Sequence, residues 1–214
     1  MGAGLSPILW HAIGVPARPT RTEREASAGT AWFLAGYVGV VGFFVVETAV
    51  RERGMASSLT VSADDQDSTR MIVAASVLAA SLSPLLRRIP LHPLPKATAP
   101  AGLALEAAGL AVRVWSMRTL RASYSRTLRT RAEQPVVDRG PYRVIRHPGY
   151  LGSLITWSGF ALTSRSVPVL IAVTGSLFLA YSHRIRAEET LLRRELPGYL
   201  DYCRGTKKLI PFVW

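Results

Sequence analysis

Two apolar runs, residues 150–163 and 167–182, are separated only by Ser164, Arg165 and Ser166. So short a connection forces two helices into an antiparallel hairpin. Three further apolar runs precede it. Residues 30–50 are long enough to cross a bilayer core of roughly 30 Å. Residues 71–86 are shorter but rich in Ala and Leu, which favour helix. Residues 101–117 form the third. The expected fold is all-α, a polytopic integral membrane protein of about five transmembrane helices with a C-terminal helical hairpin. Because 150–163 is short for a full crossing, that helix is expected to tilt or to be buried in protein at one end.

Composition supports this reading. The chain of 214 residues is 49% hydrophobic and yet carries a formal net charge of +12. High hydropathy and high charge coexist only when segregated along the chain. A basic nucleic-acid binder would interleave its charges with exposed aromatics on one face, so no nucleic-acid partner is expected. Cys203 is the one cysteine. It rules out an intrachain disulfide and a multi-cysteine zinc site, and reads as a small packing residue. His11, His92 and His183 lack metal-ligand spacing, and no metal is expected. No glycine fingerprint follows a strand-like run. Gly2-Ala3-Gly4 does not qualify, which argues against a soluble nucleotide-binding domain of the Rossmann type.

Three parts follow from the pattern. Residues 1–29 join an apolar patch to a basic stretch with Arg18, Arg21 and Arg24. The patch lacks signal-peptide features and suits the membrane surface. Residues 30–117 hold three spans, and 118–214 hold the polar motifs and the hairpin. The loop 90–100, with Pro93 and Pro95 inside it, is expected to be a rigid turn. Loops on one side, 51–70, 118–149 and 183–214, carry 18 Lys and Arg, against 7 on the other. The positive-inside rule then puts the C-terminus in the cytoplasm and the N-terminus outside, in a cell inner or plasma membrane.

The polar motifs carry the functional reading. Gly140-Pro141-Tyr142-Arg143-Val144-Ile145-Arg146-His147-Pro148-Gly149-Tyr150 opens the hairpin. Prolines and glycines hold this backbone out of helix at the membrane edge, and Pro148 suits a helix start, leaving free N–H groups just after it. Arg143 and Arg146 are read either as site residues or as partners of lipid phosphates. Tyr142 and Tyr150 flank His147, and interfacial tyrosines alone are common anchors. Past the second arm come Arg184 and Glu188, four apart on one helix face. Clustered intramembrane or interfacial charges on both arms are costly unless they bind something. Glu189 and Arg193 repeat the spacing and are expected to be an ordinary surface ion pair. Arg186 is expected to face lipid. Glu106 and Arg113 share a face of the third segment, either as a site or as a charge pair between helices. Glu47, near its segment's end, is expected to reach the interface.

The order and spacing of these motifs over the last 95 or so residues resemble the isoprenylcysteine carboxyl methyltransferase family, integral membrane enzymes that use S-adenosylmethionine. The resemblance implies a cytoplasmic cofactor pocket lined by Gln134, Pro135, Val136, Val137, Tyr142, His147, Pro148, Gly149, Tyr150 and Glu188. Gln134 stands where family members often have histidine. It also implies that Arg184 faces the acceptor carboxylate as the catalytic residue, and that S-adenosylhomocysteine is the product. The implied partners are membrane lipids and a lipophilic or lipid-modified substrate entering from the bilayer. Three alternatives stand beside it: a phospholipid-type N-methyltransferase, a membrane sterol-type reductase using NADPH, and a non-enzymatic membrane adaptor.

Overall fold

The structure is a computed structural model that describes residues 20–50, 67–91, 93–120 and 136–211. Its described elements are six α-helices: α1 Arg21–Val50, α2 Ser68–Leu86, α3 Thr98–Leu120, α4 Pro148–Thr163, α5 Val167–Glu195 and α6 Tyr199–Gly205. A 3-10 turn, Gly140–Arg143, precedes α4. An isolated parallel bridge pairs Ile145 with Lys207.

Several boundaries differ from the sequence reading for identifiable reasons. α1 begins at Arg21, well before the apolar run, because Thr20 and Glu23 cap it reciprocally. The Glu23 amide donates to Thr20 Oγ1 at 3.2 Å, and the Thr20 amide donates to Glu23 Oε2 at 2.7 Å. α5 does not stop at the end of its apolar run but continues to Glu195, which carries Arg184, Glu188 and Glu189 on one unbroken helix. The segment from Glu188 to Tyr202 is therefore not one helix. Leu196 leaves helical geometry ahead of Pro197, and α6 starts afresh after it.

Three helices, α1, α2 and α5, are long and apolar enough to cross a membrane among the described residues. α4 has only 16 residues and buries much of its surface in protein. α3 carries Glu106 and Arg113 at buried positions. The packing of α3 on α4 explains how two such helices are accommodated. Gly102 and Gly109 of α3 face Gly159 and Gly152 of α4. A Cβ at Gly102 would stand 2.6 Å from the Gly159 carbonyl oxygen, and one at Gly152 only 2.7 Å from the Arg113 amide nitrogen. Side chains larger than hydrogen would push these backbones apart.

The apolar core fills the space between α1, α2, α4 and α5. Phe160, Val169, Val173 and Leu177 are fully buried there with Phe33, Trp157 and Tyr181. Tyr37 packs edge-on to Phe160 at 4.9 Å between centroids and donates to the Ala80 carbonyl at 2.6 Å, tying α1 to α2. At the hairpin turn, Ser166 caps α5. The proline loop docks on that turn: the Leu94 amide donates to the Arg165 carbonyl, and Arg165 Nε donates to the Leu94 carbonyl, both at 2.9 Å.

Candidate active site

The loop before α4 is held from its other side by the C-terminal tail. The Arg146 amide donates to the Lys207 carbonyl at 2.8 Å, and the His147 amide to the Lys208 carbonyl at 3.0 Å. Tyr202 of α6 donates its hydroxyl to the Tyr142 carbonyl at 2.6 Å. Leu209, fully buried, anchors the tail. The non-helical backbone expected at the membrane edge is thus satisfied by a strap drawn from the end of the chain.

Arg146 is the knot of this strap. Its Nε donates to Glu189 Oε1 at 2.8 Å, and its Nη1 donates to the Cys203 carbonyl at 3.3 Å and to the Thr206 carbonyl. Burial pulls the guanidinium below its ordinary value, but the hydrogen bond and charge of Glu189 outweigh it, and the net direction is upward. Arg146 is therefore not a lipid-phosphate partner, because it is spent inside the protein. Arg143 remains exposed.

Glu189 likewise departs from the expectation of a surface pair. It is 4% exposed and receives Arg146, His147 Nε2 at 3.4 Å and Arg193 at 3.1 Å, with Lys208 Nζ at 3.7 Å. The Arg193 bond exists, as the spacing suggested, but it is one of four cationic or imidazole contacts on a buried carboxylate.

The second cluster lies beside the first. Arg184 is almost fully buried. Its Nε donates to the Tyr150 hydroxyl at 3.1 Å, and its Nη1 donates to Ser68 Oγ at 2.9 Å and Thr69 Oγ1 at 3.2 Å. The Tyr150 hydroxyl in turn donates to Glu188 Oε2 at 2.8 Å. Arg184 and Glu188 are thus joined through Tyr150. His147, Tyr150 and Tyr181 stack as a column, with centroids 5.8 and 5.5 Å apart. His147 stands between the carboxylates, its Nδ1 3.9 Å from Glu188. The Glu188 side chain keeps 27% of its surface exposed, so this carboxylate is accessible where Glu189 is not. Tyr199 places a buried hydroxyl with no hydrogen-bond partner among the described residues, and burial followed by the charges of Glu189 and Glu188 pushes it up from its ordinary value.

The structure gathers Tyr142, His147, Pro148, Gly149, Tyr150, Arg184 and Glu188 at one end of the bundle. Val136 and Val137 are half-buried at the start of the described loop. Gln134 and Pro135 lie outside the described residues. Arg186 is exposed, in keeping with its expected outward position. Sequence reasoning missed Ser68 and Thr69, which precede the apolar run of α2 by so little that only tertiary contact reveals their link to Arg184. It also missed the role of the paired glycines, although each pair's seven-residue spacing was visible.

Glu106 and Arg113 share a helix face but separate in partnership. Arg113 Nη2 reaches across to Glu47 Oε1 at 2.8 Å, with Glu47 only 2% exposed. Glu47 is thus inside an ion pair between α1 and α3 and not at the interface. Both carboxylate oxygens of Glu106 are buried with no partner among the described residues.

A family comparison resolves what this arrangement resembles. Residues 102–194 match the isoprenylcysteine carboxyl methyltransferase family. The matched segment runs from the glycine face of α3 through the loop and hairpin to the end of α5. A probable protein-S-isoprenylcysteine O-methyltransferase of Oryza sativa subsp. indica is 30% identical over 115 residues, covering 52% of this chain and 60% of that protein. The nickel-cobalt-cadmium resistance protein NccN of Alcaligenes xylosoxydans xylosoxydans is 31% identical over 81 residues, covering 38% of each chain. The chain therefore spans less than two thirds of the length of either relative. The solved eukaryotic intramembrane Ras methyltransferase ICMT shares the fold at a TM-score of 0.52 and 22% identity, over 68% of this chain and 52% of that one. The matched segment holds Arg146, His147, Tyr150, Arg184, Glu188 and Glu189, while Ser68, Thr69 and the C-terminal strap lie outside it.

Proposed function

We propose that the chain is an integral membrane methyltransferase that moves a methyl group from S-adenosylmethionine to a lipophilic carboxylate of the isoprenylcysteine type. The observation that carries this reading is the Arg184–Tyr150–Glu188 relay, which puts a buried guanidinium and an accessible carboxylate on the same ring. In this reading all five long helices, α3 and α4 included, lie within the membrane, and the site faces the cytoplasm.

The residues present suit the cofactor. Glu188 offers a carboxylate for an ammonium group, and the buried Tyr199 hydroxyl is an unused donor among the described residues. Val136 and Val137 offer apolar walls for an adenine, and His147 and Tyr150 offer polar edges. When bound, S-adenosylmethionine supplies an electrophilic methyl on a sulfonium.

Arg184 would hold the acceptor. It now donates to three hydroxyls, from Tyr150, Ser68 and Thr69, and a carboxylate is a stronger acceptor for a guanidinium than a neutral hydroxyl. Its planar fork can hold one carboxylate oxygen pair while leaving a lone pair for attack. A carboxylate is already ionised near neutral pH, so no side chain has to remove a proton. Transfer to a carboxylate neutralises opposite charges, so a site that excludes water favours the transition state over the separated ions. A lipid acceptor would enter sideways between helices, while the water-soluble donor would enter from the loop side.

The test is calorimetric titration of the purified protein with S-adenosylhomocysteine and with NADPH, followed by an assay of labelled methyl transfer to a farnesylated cysteine. Micromolar binding of the sulfur compound, no NADPH binding and base-labile label in the product are expected. Binding of NADPH alone would replace this reading with a sterol-type reductase. Base-stable label on an amine lipid would replace the carboxylate with an amine acceptor.

A further inference from the structure

The end of the bundle away from this site carries a second feature that the methyl-transfer chemistry does not use. A cavity of about 580 Å³ is lined by Arg21, Arg24, Glu25, Trp32, Lys96 and Arg165. A smaller one of about 200 Å³ adjoins it, sharing Glu25, Gly29 and Arg165 and adding Arg87. Five cationic side chains thus line the two cavities around one carboxylate. Glu25 is engaged by two of them, with Arg21 Nε at 3.1 Å and Lys96 Nζ at 2.8 Å.

The surrounding fold holds two of these cations, Arg87 and Arg165, in place. Arg87 lies over the Phe33 ring at 5.0 Å, and Gly29 leaves room for its guanidinium, since a Cβ there would touch Nη2 at 3.4 Å. Burial, and then the neighbouring Arg165 charge, push Arg87 below its ordinary value, so two cations are packed near each other in a half-buried place. Arg165 has a left-handed backbone, φ 56°, costly for a residue with a side chain, and its Nε is held by the Leu94 carbonyl. The N-termini of α1, α3 and α5 also open toward this end, adding positive partial charge.

We propose that this basic cavity binds the phosphate headgroup of an anionic phospholipid in the leaflet opposite the methyl-transfer site. Like charges packed this way favour an anion between them, and phosphate offers several acceptors to guanidinium groups. A lipid fits better than a free anion because of what surrounds the cavity. Trp32, on its wall, is 38% exposed, as an indole at a membrane boundary is. α1, the helix that supplies most of the wall, exposes apolar residues farther along, Leu34 and Val38. The inference rests on the membrane-spanning part of the reading above and not on its chemistry.

Native mass spectrometry of the detergent-purified full chain, with phosphatidylglycerol and phosphatidylcholine in competition, tests it. At least tenfold preferential retention of phosphatidylglycerol is expected. Arg165→Gly, which removes the guanidinium and suits the positive φ, should cut that preference several-fold, and with Arg87→Ala should abolish it. Arg70→Ala, an equal charge loss at the other end, should leave it intact. Equal retention of the two lipids would overturn the proposal, as would an equal loss in Arg70→Ala. Displacement of the lipid by millimolar inorganic phosphate would instead assign the cavity to a free anion. S-adenosylhomocysteine binding, followed in the same variants, reports on the other site, and carbonate extraction of cell membranes reports on membrane insertion. Failure here is therefore distinct from failure of the methyltransferase reading.

Discussion

Glu189 and Glu106 are both 4% exposed, and they could hardly differ more in company. Glu189 meets Arg146, His147, Arg193 and Lys208 and joins α5 to the loop and the tail. Glu106 sits against Gly39 of α1 and the glycine face of α4, with both oxygens unpartnered among the described residues. Burial alone therefore does not mark a working group. Connectivity does: one carboxylate organises three segments of chain, and the other occupies room that glycines leave between helices. Arg113, seven residues past Glu106, shows the intermediate case of a buried pair with Glu47.

The largest test of this contrast is Glu189→Ala. Removing it leaves Arg146 buried beside lost charge, a change that costs about 3–5 kcal/mol. A large drop in the midpoint of thermal unfolding in detergent is expected, together with proteolysis of the loop or tail. An unfolding midpoint like that of the parent protein would show that the strap holds without its knot.

Arg184→Ala comes next. Loss of a charge-assisted hydrogen bond to a desolvated carboxylate costs about 2–3 kcal/mol, or roughly 30- to 150-fold in turnover. Cofactor affinity should hold, and Arg184→Lys should recover part of the rate, since lysine lacks the fork. If affinity for S-adenosylhomocysteine falls instead, Arg184 belongs with the donor and not with the acceptor.

Gly159→Ala probes the surroundings of Glu106. The added Cβ would stand 2.5 Å from the Glu106 amide nitrogen, backbone against side chain, and overpacking of this kind costs about 1–3 kcal/mol. Unfolding of this variant at the parent temperature would mean that α3 and α4 separate easily.

Glu188→Gln should weaken S-adenosylhomocysteine binding about tenfold, or about 1.4 kcal/mol, with little change in unfolding temperature. That split between affinity and stability separates Glu188 from its neighbour Glu189, whose loss should move both. The smallest effect is expected from Glu106→Gln, within about 1 kcal/mol of the parent in stability, because no ion pair is broken. A strongly destabilised Glu106→Gln would reveal a partner for this carboxylate and dissolve the contrast.

These residues also show where sequence reasoning stops. The all-α pattern, the hairpin around Ser164, Arg165 and Ser166, and the helix start at Pro148 were legible, because hydrophobic runs, short connections and proline act locally. So was the gathering of His147, Tyr150, Arg184 and Glu188, through motif order. The burial of Glu189 was not. Adjacent residues on a helix point about 100° apart, and which direction is inward depends on where the loop and tail dock. The i to i+4 spacing of Glu189 and Arg193 was real and yet misleading, since a short-range pair says nothing about the three longer-range partners. Glu47 and Arg113 were each visible as charges in apolar runs, but 66 positions separate them, and only the crossing of α1 over α3 makes them a pair. The same holds for Arg184 with Ser68, and for Arg21, Lys96 and Arg165 at the far end. Local periodicity and chain connectivity determined which elements form and which neighbour which. Helix rotation and crossing, set by glycine contacts and core packing across the whole bundle, decided which charges meet.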